Sequence, residues 1–376
     1  MTPTLSQLMD RFGSKRVLVL GDAMLDSYVV GTSTRLCQEA PVPVVAVRER
    51  LDCPGGAANT AVNLAVLGCQ VELMSVVGAD QDGDRLRSLL RQLGVGIHLL
   101  TVSEARRTLS KQRIVNGDRL LARIDQGDTG PIPRHVERRL LAQLDEAFVR
   151  ADAVVISDYA YGVLTSGMIG RLRTLQQRFQ HLIAIDARNL TSYRSVGVTV
   201  VKPNFDEALR LVGRRSETAR ESRVALAPTL GEAVLDLTGS RIAALTLDAE
   251  GAVVVERGQD PVRTYATPVD QSRTAGAGDT YLAALTLALA SGATTSAAAT
   301  IAACAAGVVV RQGGTTVCPA RELRREIILS ASSWATLEST PDQRTALTIT
   351  GPIEERHGRD TPTEVGERRA PALHQA

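Results

Sequence analysis

Apolar residues fall along this chain in two alternating rhythms. Short runs dense in Val, Ile and Leu, at Arg16 to Leu20, Val71 to Val77, Ala153 to Ser157, Leu182 to Asp186 and Val198 to Val201, have the continuous apolar character of strands buried on both faces. Between them, Thr60 to Leu67, Asp84 to Leu93 and Met168 to Phe179 place apolar residues at helical spacing, and Gly68 stops the first of these helices. Strand then helix, repeated, predicts parallel strands joined by crossover helices. The expected fold is therefore α/β, a doubly wound and mostly parallel sheet.

Some segments break the rhythm. Val42 to Arg48 is a Pro-flanked β stretch, and Leu109 to Val115 joins Arg119 to Ile124 across Asn116-Gly117, a hairpin signal. Together they predict a small β-sheet lid, drawn from about 24–50 and 97–125, which would keep water from a reacting phosphate. A plain surface hairpin would read the same way. Ile242 to Leu247 and Ala252 to Glu256 flank Asp248-Ala249-Glu250-Gly251 as a second hairpin. Tyr281 to Val310 holds no charged residue, but Ser291 to Ser296 divides it into two pieces, each too short to cross a bilayer; two buried helices are expected. From Ser332 the composition turns to Thr, Pro, Glu and Arg without periodicity, which predicts a domain over 1–331 and a disordered tail over 332–376.

Composition narrows the choices. At 376 residues and 44% hydrophobic, the chain is long enough for one large α/β core or two modest ones. Its formal charge of +2 leaves no global field for nucleic acid, and no membrane partner is expected. Small-molecule partners fit better. The five cysteines lie far apart without metal-finger spacing, and Met1 to Lys15 lacks the apolar core of a signal peptide, so a reducing, cytoplasmic location is expected.

The stretch Thr274-Ala275-Gly276-Ala277-Gly278-Asp279-Thr280 carries the sharpest chemistry. Small residues where a turn enters an apolar helix leave backbone N–H groups free to hold an anion. Asp279 beside them is placed to take a proton from a hydroxyl as a phosphoryl group moves onto it. A turn with a helix-dipole carboxylate would use the same residues. Asp22 and Asp26 after the first strand, with Gly55, Gly56, Asn59 and Asn63 opening the next helix, are the groups that bind sugar hydroxyls; turn and capping roles would also suit them. Lys111 and Arg113 alternate on one hairpin strand with Arg123 on the other, a solvated basic face or a lid surface for a phosphate. Asn204 with Glu207 three residues on is a capping-box pattern after a strand end. Walker A, GxGxxG, HExxH and GxSxG patterns are missing.

In this order, the Gly55-Gly56 site, the Asn204/Glu207 pair and the GAGD of Gly276 to Asp279 resemble the PfkB or ribokinase-like family of sugar kinases over roughly Arg16 to Ile328. Gly21 to Asp26, Glu39 to Val44, Gly55 to Asn59 and Ser157 to Ala160 are most similar to the members that phosphorylate C1 of D-glycero-D-manno-heptose 7-phosphate in ADP-heptose synthesis. The resemblance implies a three-layer fold and a homodimer formed through the lid. It implies ATP and a sugar phosphate as ligands, with Mg²⁺ held indirectly by Glu207. By position it makes Asp279 the catalytic base and Gly276, Ala277 and Gly278 the anion hole. Asp22, Asp26, Gly55, Gly56, Asn59, Lys111 and Asp158 would bind the acceptor; Asn204, Glu207, Thr246, Asp248, Gly251 and Gly314 would bind the nucleotide. Bifunctional members carry a nucleotidyltransferase after the kinase, so adenylylation is expected of another chain.

The chain also departs from the pattern. Arg273 stands where relatives commonly have Asp, which argues against a monovalent cation, although Asp270 is near enough to compensate. Tyr161 replaces a Lys usual in the heptose kinases, Ala187-Arg188 replaces Pro-Lys, and Ala303 replaces an Asn near the adenine site. A kinase for another sugar or sugar phosphate, and a binding protein that kept the fold without catalysis, remain as alternatives.

Overall fold

The computed structural model describes residues 3–117, 119–214, 222–266, 276–312 and 316–338. In chain order, α1 (Leu5–Asp10) and β1 (Arg16–Gly21) lead to two long strands, β2 (Ala23–Leu36) and β3 (Pro43–Gly56). Then come α2 (Ala57–Val66), β4 (Gln70–Gly78), α3 (Gln81–Gln92), β5 (Leu100–Ser103) and the hairpin β6 (Leu109–Asn116) with β7 (Arg119–Gln126). The second half runs α4 (Arg134–Arg150), β8 (Ala153–Asp158), α5 (Ser166–Phe179), β9 (Leu182–Ala187), β10 (Val200–Val201), α6 (Phe205–Leu211) and α7 (Arg223–Thr238). It ends with β11 (Ile242–Thr246), β12 (Ala252–Glu256), β13 (Val262–Thr264), α8 (Ala277–Ala290), α9 (Thr295–Gln312) and α10 (Ala320–Glu338).

The main sheet has the order β13-β12-β11-β10-β9-β8-β1-β4-β5. It is parallel from β11 to β5 and closes at its other edge with two antiparallel pairings. Because side chains alternate across a strand, β1 sends Val17 and Val19 to one face and Leu18 and Leu20 to the other. On the first face they meet α2, α8 and α9 through Ala61, Leu64, Leu282 and Ile301. On the second they meet α4, α5 and α7 through Leu140, Leu144, Leu172 and Val234. Each such fully buried aliphatic side chain stabilises the fold by roughly 1.5–3 kcal/mol, which is why both faces of the strands read as apolar. The three layers and the mostly parallel sheet agree with the expectation.

The small sheet, ordered β3-β2-β6-β7, stands apart from the main one. Strand β2 is buried from Ala23 to Ser27, where it leaves the body, and becomes exposed toward Leu36. Its limits differ from the expected ones. Residues 97–108 belong to the body, where β5 pairs in parallel with β4 from Ser75↔Leu100 to Gly78↔Ser103. Helix α10 likewise continues past Ser332 to Glu338, and residues 339–376 lie outside the described residues. Helices α8 and α9 carry the two pieces of the uncharged stretch; α8 buries most of its length and α9 half. By length and composition α9 alone, among the described residues, would reach across a membrane; half of it is buried within the fold.

Candidate active site

The parallel strands deliver their C-terminal ends to one edge of the sheet, where ligands of open α/β folds collect. Gly21 at the end of β1 with Asp22 after it, Ser157 to Tyr161 at the end of β8, Asp186 on β9 and Lys202 after β10 all arrive there. Helix α8 points its N-terminus at the same place. Gly276 caps it in the left-handed region (φ 90°), a backbone that side chains beyond glycine rarely adopt. The amides of Ala277, Gly278 and Asp279 then lie in the first turn, where a helix offers them no acceptor of its own.

Asp279 is only 8% exposed and held from several sides. Its Oδ2 accepts from Asn59 Nδ2 at 2.7 Å, and its Oδ1 accepts from Thr60 Oγ1 at 3.3 Å and from the Tyr159 hydroxyl at a long 3.5 Å. Asn59 is itself held in orientation. Thr280 Oγ1 donates to Asn63 Oδ1 at 2.7 Å, and Asn63 Nδ2 donates to Asn59 Oδ1 at 3.2 Å, leaving the Asn59 amide group to face Asp279. Burial raises the Asp279 carboxyl to about 6; the Asn59 hydrogen bond opposes the rise, Asp186 adds to it, and Lys202 and Thr60 oppose it again. A carboxylate tuned toward neutrality by burial is what general-base work near pH 7 requires.

Lys202 was not singled out from the sequence. It is 5% exposed, its Nζ lies 2.8 Å from Asp186 Oδ2, and a Cβ on Gly278 would come within 3.3 Å of the same nitrogen. Burial alone would lower its pKa, but Asp186, with Asp279 and Glu207 beyond, raises it, so the ammonium stays charged. A cation thus stands against the glycine turn and beside the base. The available signal was a lysine directly after two buried valines, at a strand end before Pro203-Asn204.

The remaining expected residues divide into those that face the site and those already engaged. Asp26 meets Arg113 at 3.0 Å through Oδ1, while its Oδ2 lies where a Cβ on Gly55 would be, at 2.6 Å. Gly56 (φ 58°) lets the chain turn into α2 against the Asp22 carbonyl. Lys111 reaches over the Tyr159 and Tyr161 rings, whose planes are stacked 16° apart. Three of the expected residues also carry contacts within the fold. Asp22 accepts from the amides of Tyr159, Tyr161 and Val163 (2.9–3.2 Å), so it pins that loop. Asn59 serves the base. Asp158 accepts from Ala160 N at 2.8 Å and from the Tyr193 hydroxyl at 2.6 Å, a turn-building role.

On the nucleotide side, Asn204 and Glu207 form the expected capping box: Glu207 N donates to Asn204 Oδ1 at 2.8 Å and Asn204 N to Glu207 Oε2 at 2.9 Å. A β-bridge sets Asn204 beside Thr246. Asp248, with φ 52°, pairs with Arg223 at 3.0 Å, and Gly251 turns the β11–β12 hairpin against the Thr264 carbonyl. Ala303 sits on α9, partly buried against the core. Gly314, Asp270, Arg273, Thr274 and Ala275 lie outside the described residues. No group of three or more His, Cys, Asp or Glu among the described residues is arranged to hold a metal by itself.

Comparison with known proteins fits this geometry. Residues 14–322 match the pattern of the pfkB family carbohydrate kinases. The chain is 36% identical over 327 residues to the bifunctional protein HldE of Caulobacter vibrioides, covering 86% of this chain and 65% of that protein. Against the HldE of Desulfatibacillum aliphaticivorans it is 32% identical over 316 residues, with 84% and 64% covered. It spans just under two thirds of the length of these relatives. Among solved structures, phosphofructokinase-2 from Escherichia coli in complex with potassium superposes with a TM-score of 0.69 at 21% identity, covering 84% of this chain and 99% of that one. Arabidopsis thaliana ribokinase complexed with ribose and ATP gives 0.65 at 18% identity, covering 83% and 98%. These two likenesses establish the fold. Taken with the family match across the body of the chain, they lead to one conclusion: the chain belongs to the pfkB family of carbohydrate kinases and transfers a phosphoryl group to a hydroxyl.

Proposed function

We propose that the protein phosphorylates the C1 hydroxyl of D-glycero-D-manno-heptose 7-phosphate with ATP, in the cytoplasm and as a homodimer joined through the lid. The observation that carries the chemistry is Asp279, buried at the start of α8, oriented by Asn59 and Thr60, with the Lys202 ammonium beside the glycine turn. The acceptor assignment rests on the HldE relatives and on the stretches quoted from Gly21 to Ala160.

At neutral pH Asp279 is mostly ionised, and its carboxylate accepts the proton of the C1 hydroxyl. The C1 oxygen forms a bond to the γ-phosphorus, and the bond from that phosphorus to the β–γ bridging oxygen breaks, leaving ADP. The amides of Ala277 and Gly278 and the Lys202 ammonium meet the charge on the transferring group, each such donor contributing roughly 10²–10³ in rate. Glu207 has one carboxylate oxygen outside its capping hydrogen bond, a hard donor suited to a water of Mg²⁺. Magnesium arriving on the nucleotide phosphates would neutralise them there. Exposed Leu36, Val47, Leu51, Leu120 and Ile124 give the lid an apolar surface suited to a second copy.

A second reading keeps the kinase and changes the sugar phosphate. Tyr161 and Arg188, beside Lys111, favour it, because they alter the acceptor end where the heptose kinases are expected to carry lysines. ADP release measured with purified protein against a panel of sugar phosphates separates the two. The highest kcat/KM is expected with heptose 7-phosphate; a higher value with any other acceptor overturns the assignment.

A further inference from the structure

The basic residues expected to line the acceptor end are not equivalent. Arg113 is paired with Asp26 at 3.0 Å, and Arg123 with Asp125 at 2.9 and 3.0 Å. Lys111, on β6 with Arg113, forms no ion pair among the described residues; its ammonium stands 5.4 Å from the centroid of the Tyr161 ring. Arg188 comes from the body, just past the end of β9. It too has no carboxylate partner among the described residues, and its guanidinium lies 5.3 Å from the same Tyr161 centroid.

The mounting of these groups is rigid. Tyr161 donates its amide to Asp22, and its carbonyl accepts from the buried Arg106, which also holds the Gly130 and Asp128 carbonyls at 2.8 and 2.7 Å. The Arg188 amide donates to the Asp158 carbonyl at 3.0 Å, in the same turn. Two like charges are thereby gathered on one ring while neighbouring cations are paired off. Aromatic faces offset exposed cations only weakly, far less than a dianion shared between them would. A lysine point charge and an arginine fork together suit a phosphate monoester.

We propose that Lys111 and Arg188 clamp the phosphate the acceptor already carries, with Tyr161 as its floor, so that the bound phosphate ties the lid to the body. The proposal rests on the sugar-phosphate reading above and adds the residue from the body that makes recognition two-sided. The neighbouring charges are already engaged: Asp26 by Arg113, and Asp186 by Lys202.

The test compares heptose 7-phosphate with the same heptose lacking the phosphate, using wild type, Lys111→Met, Arg188→Met and the double variant. The ratio of kcat/KM for the phosphorylated over the unphosphorylated sugar should fall about 10- to 100-fold in each single variant, as for loss of one charged hydrogen bond. Arg188→Lys should restore most of it. Inorganic phosphate should compete with the sugar phosphate in wild type and lose that competition in the double variant. An unchanged ratio, or equal losses for both sugars, overturns the clamp. If another phosphorylated sugar is preferred and the ratio for that sugar still collapses, the heptose assignment fails and the clamp stands. If heptose 7-phosphate is preferred and the ratio holds, the clamp fails alone.

Discussion

Lys202 at the end of β10 is 5% exposed and paired with Asp186 at 2.8 Å, whereas Lys111 on β6 is partly exposed, forms no ion pair among the described residues and stands over two tyrosine rings. The same charge stands in two settings. At the transfer centre the groups are held by helices packed in the core: α2 supplies Asn59 and Thr60, α8 supplies Asp279, and Asn63 with Thr280 locks one helix to the other. On the lid, strands with exposed faces carry charges that are mostly paired along the sheet. Preorganised charge is most effective where water is excluded, while selection among acceptors needs a surface that opens. The comparison predicts that changes at the first region act on turnover and changes at the second act on which acceptor is bound.

The severest break should come from Asp279→Asn. With the hydrogen-bonding shape kept and the proton acceptor removed, kcat should drop about 10³-fold with a normal circular dichroism spectrum. A kcat close to wild type would remove Asp279 from the chemistry. Lys202→Met comes next, with an expected loss of about 10²-fold in kcat and little change in sugar KM. That variant leaves Asp186 without its partner, so Lys202→Met/Asp186→Asn should regain thermal stability without regaining rate. Recovery of rate in the double variant would mean that Lys202 only neutralises Asp186.

The pH profile sharpens the same contrast. Asp279 must be ionised to act, and burial has raised it to about 6, so log kcat/KM should fall as pH drops through that value. Asp186 raises the Asp279 pKa and Lys202 lowers it. The acid limb should therefore move to lower pH in Asp186→Asn and to higher pH in Lys202→Met, and stay in place in Lys111→Met. A limb that moves in Lys111→Met, or in neither of the others, would break the assignment of the limb to Asp279.

Legibility in the sequence followed the same division. The parallel strands were readable because both faces of β1, β4, β8 and β9 are buried and their apolar runs are continuous. The glycine turn and the Asn204/Glu207 box were readable because local geometry fixes them within four residues. Helix α7 was not: Pro228 and Gly231 argue against a helix locally, yet Ala227, Leu230, Val234 and Leu235 are buried in the core and Gly231 packs so closely on Val255 that a Cβ would lie 2.5 Å from its Cγ2. The long strand β2 was hidden because one end is buried and the other exposed, so no single periodicity covers it. Which polar groups face a ligand was the least legible. Asp22, Asn59 and Asp158 have the right chemistry for sugar, and only the fold shows that they also bond to backbone amides, the base and Tyr193.

The smallest effect expected is at Gly55, where the two regions join. A methyl group there would lie 2.6 Å from Asp26 Oδ2 and 2.9 Å from Met24 Cγ, both in buried side chains that must shift to admit it. In Gly55→Ala the Asp26 carboxylate should therefore be displaced, weakening its contact with Arg113 and withdrawing an acceptor from the sugar side. One displaced hydrogen-bonding group corresponds to about 0.5–1.5 kcal/mol, or roughly a 2- to 10-fold rise in acceptor KM. The Asp279 network lies on α2 and α8, beyond the displaced side chain, so kcat and the acid limb should hold. A fall in kcat together with a shifted limb would show that Asp26 is coupled to the base, and that the lid and the transfer centre do not divide binding from chemistry at β3.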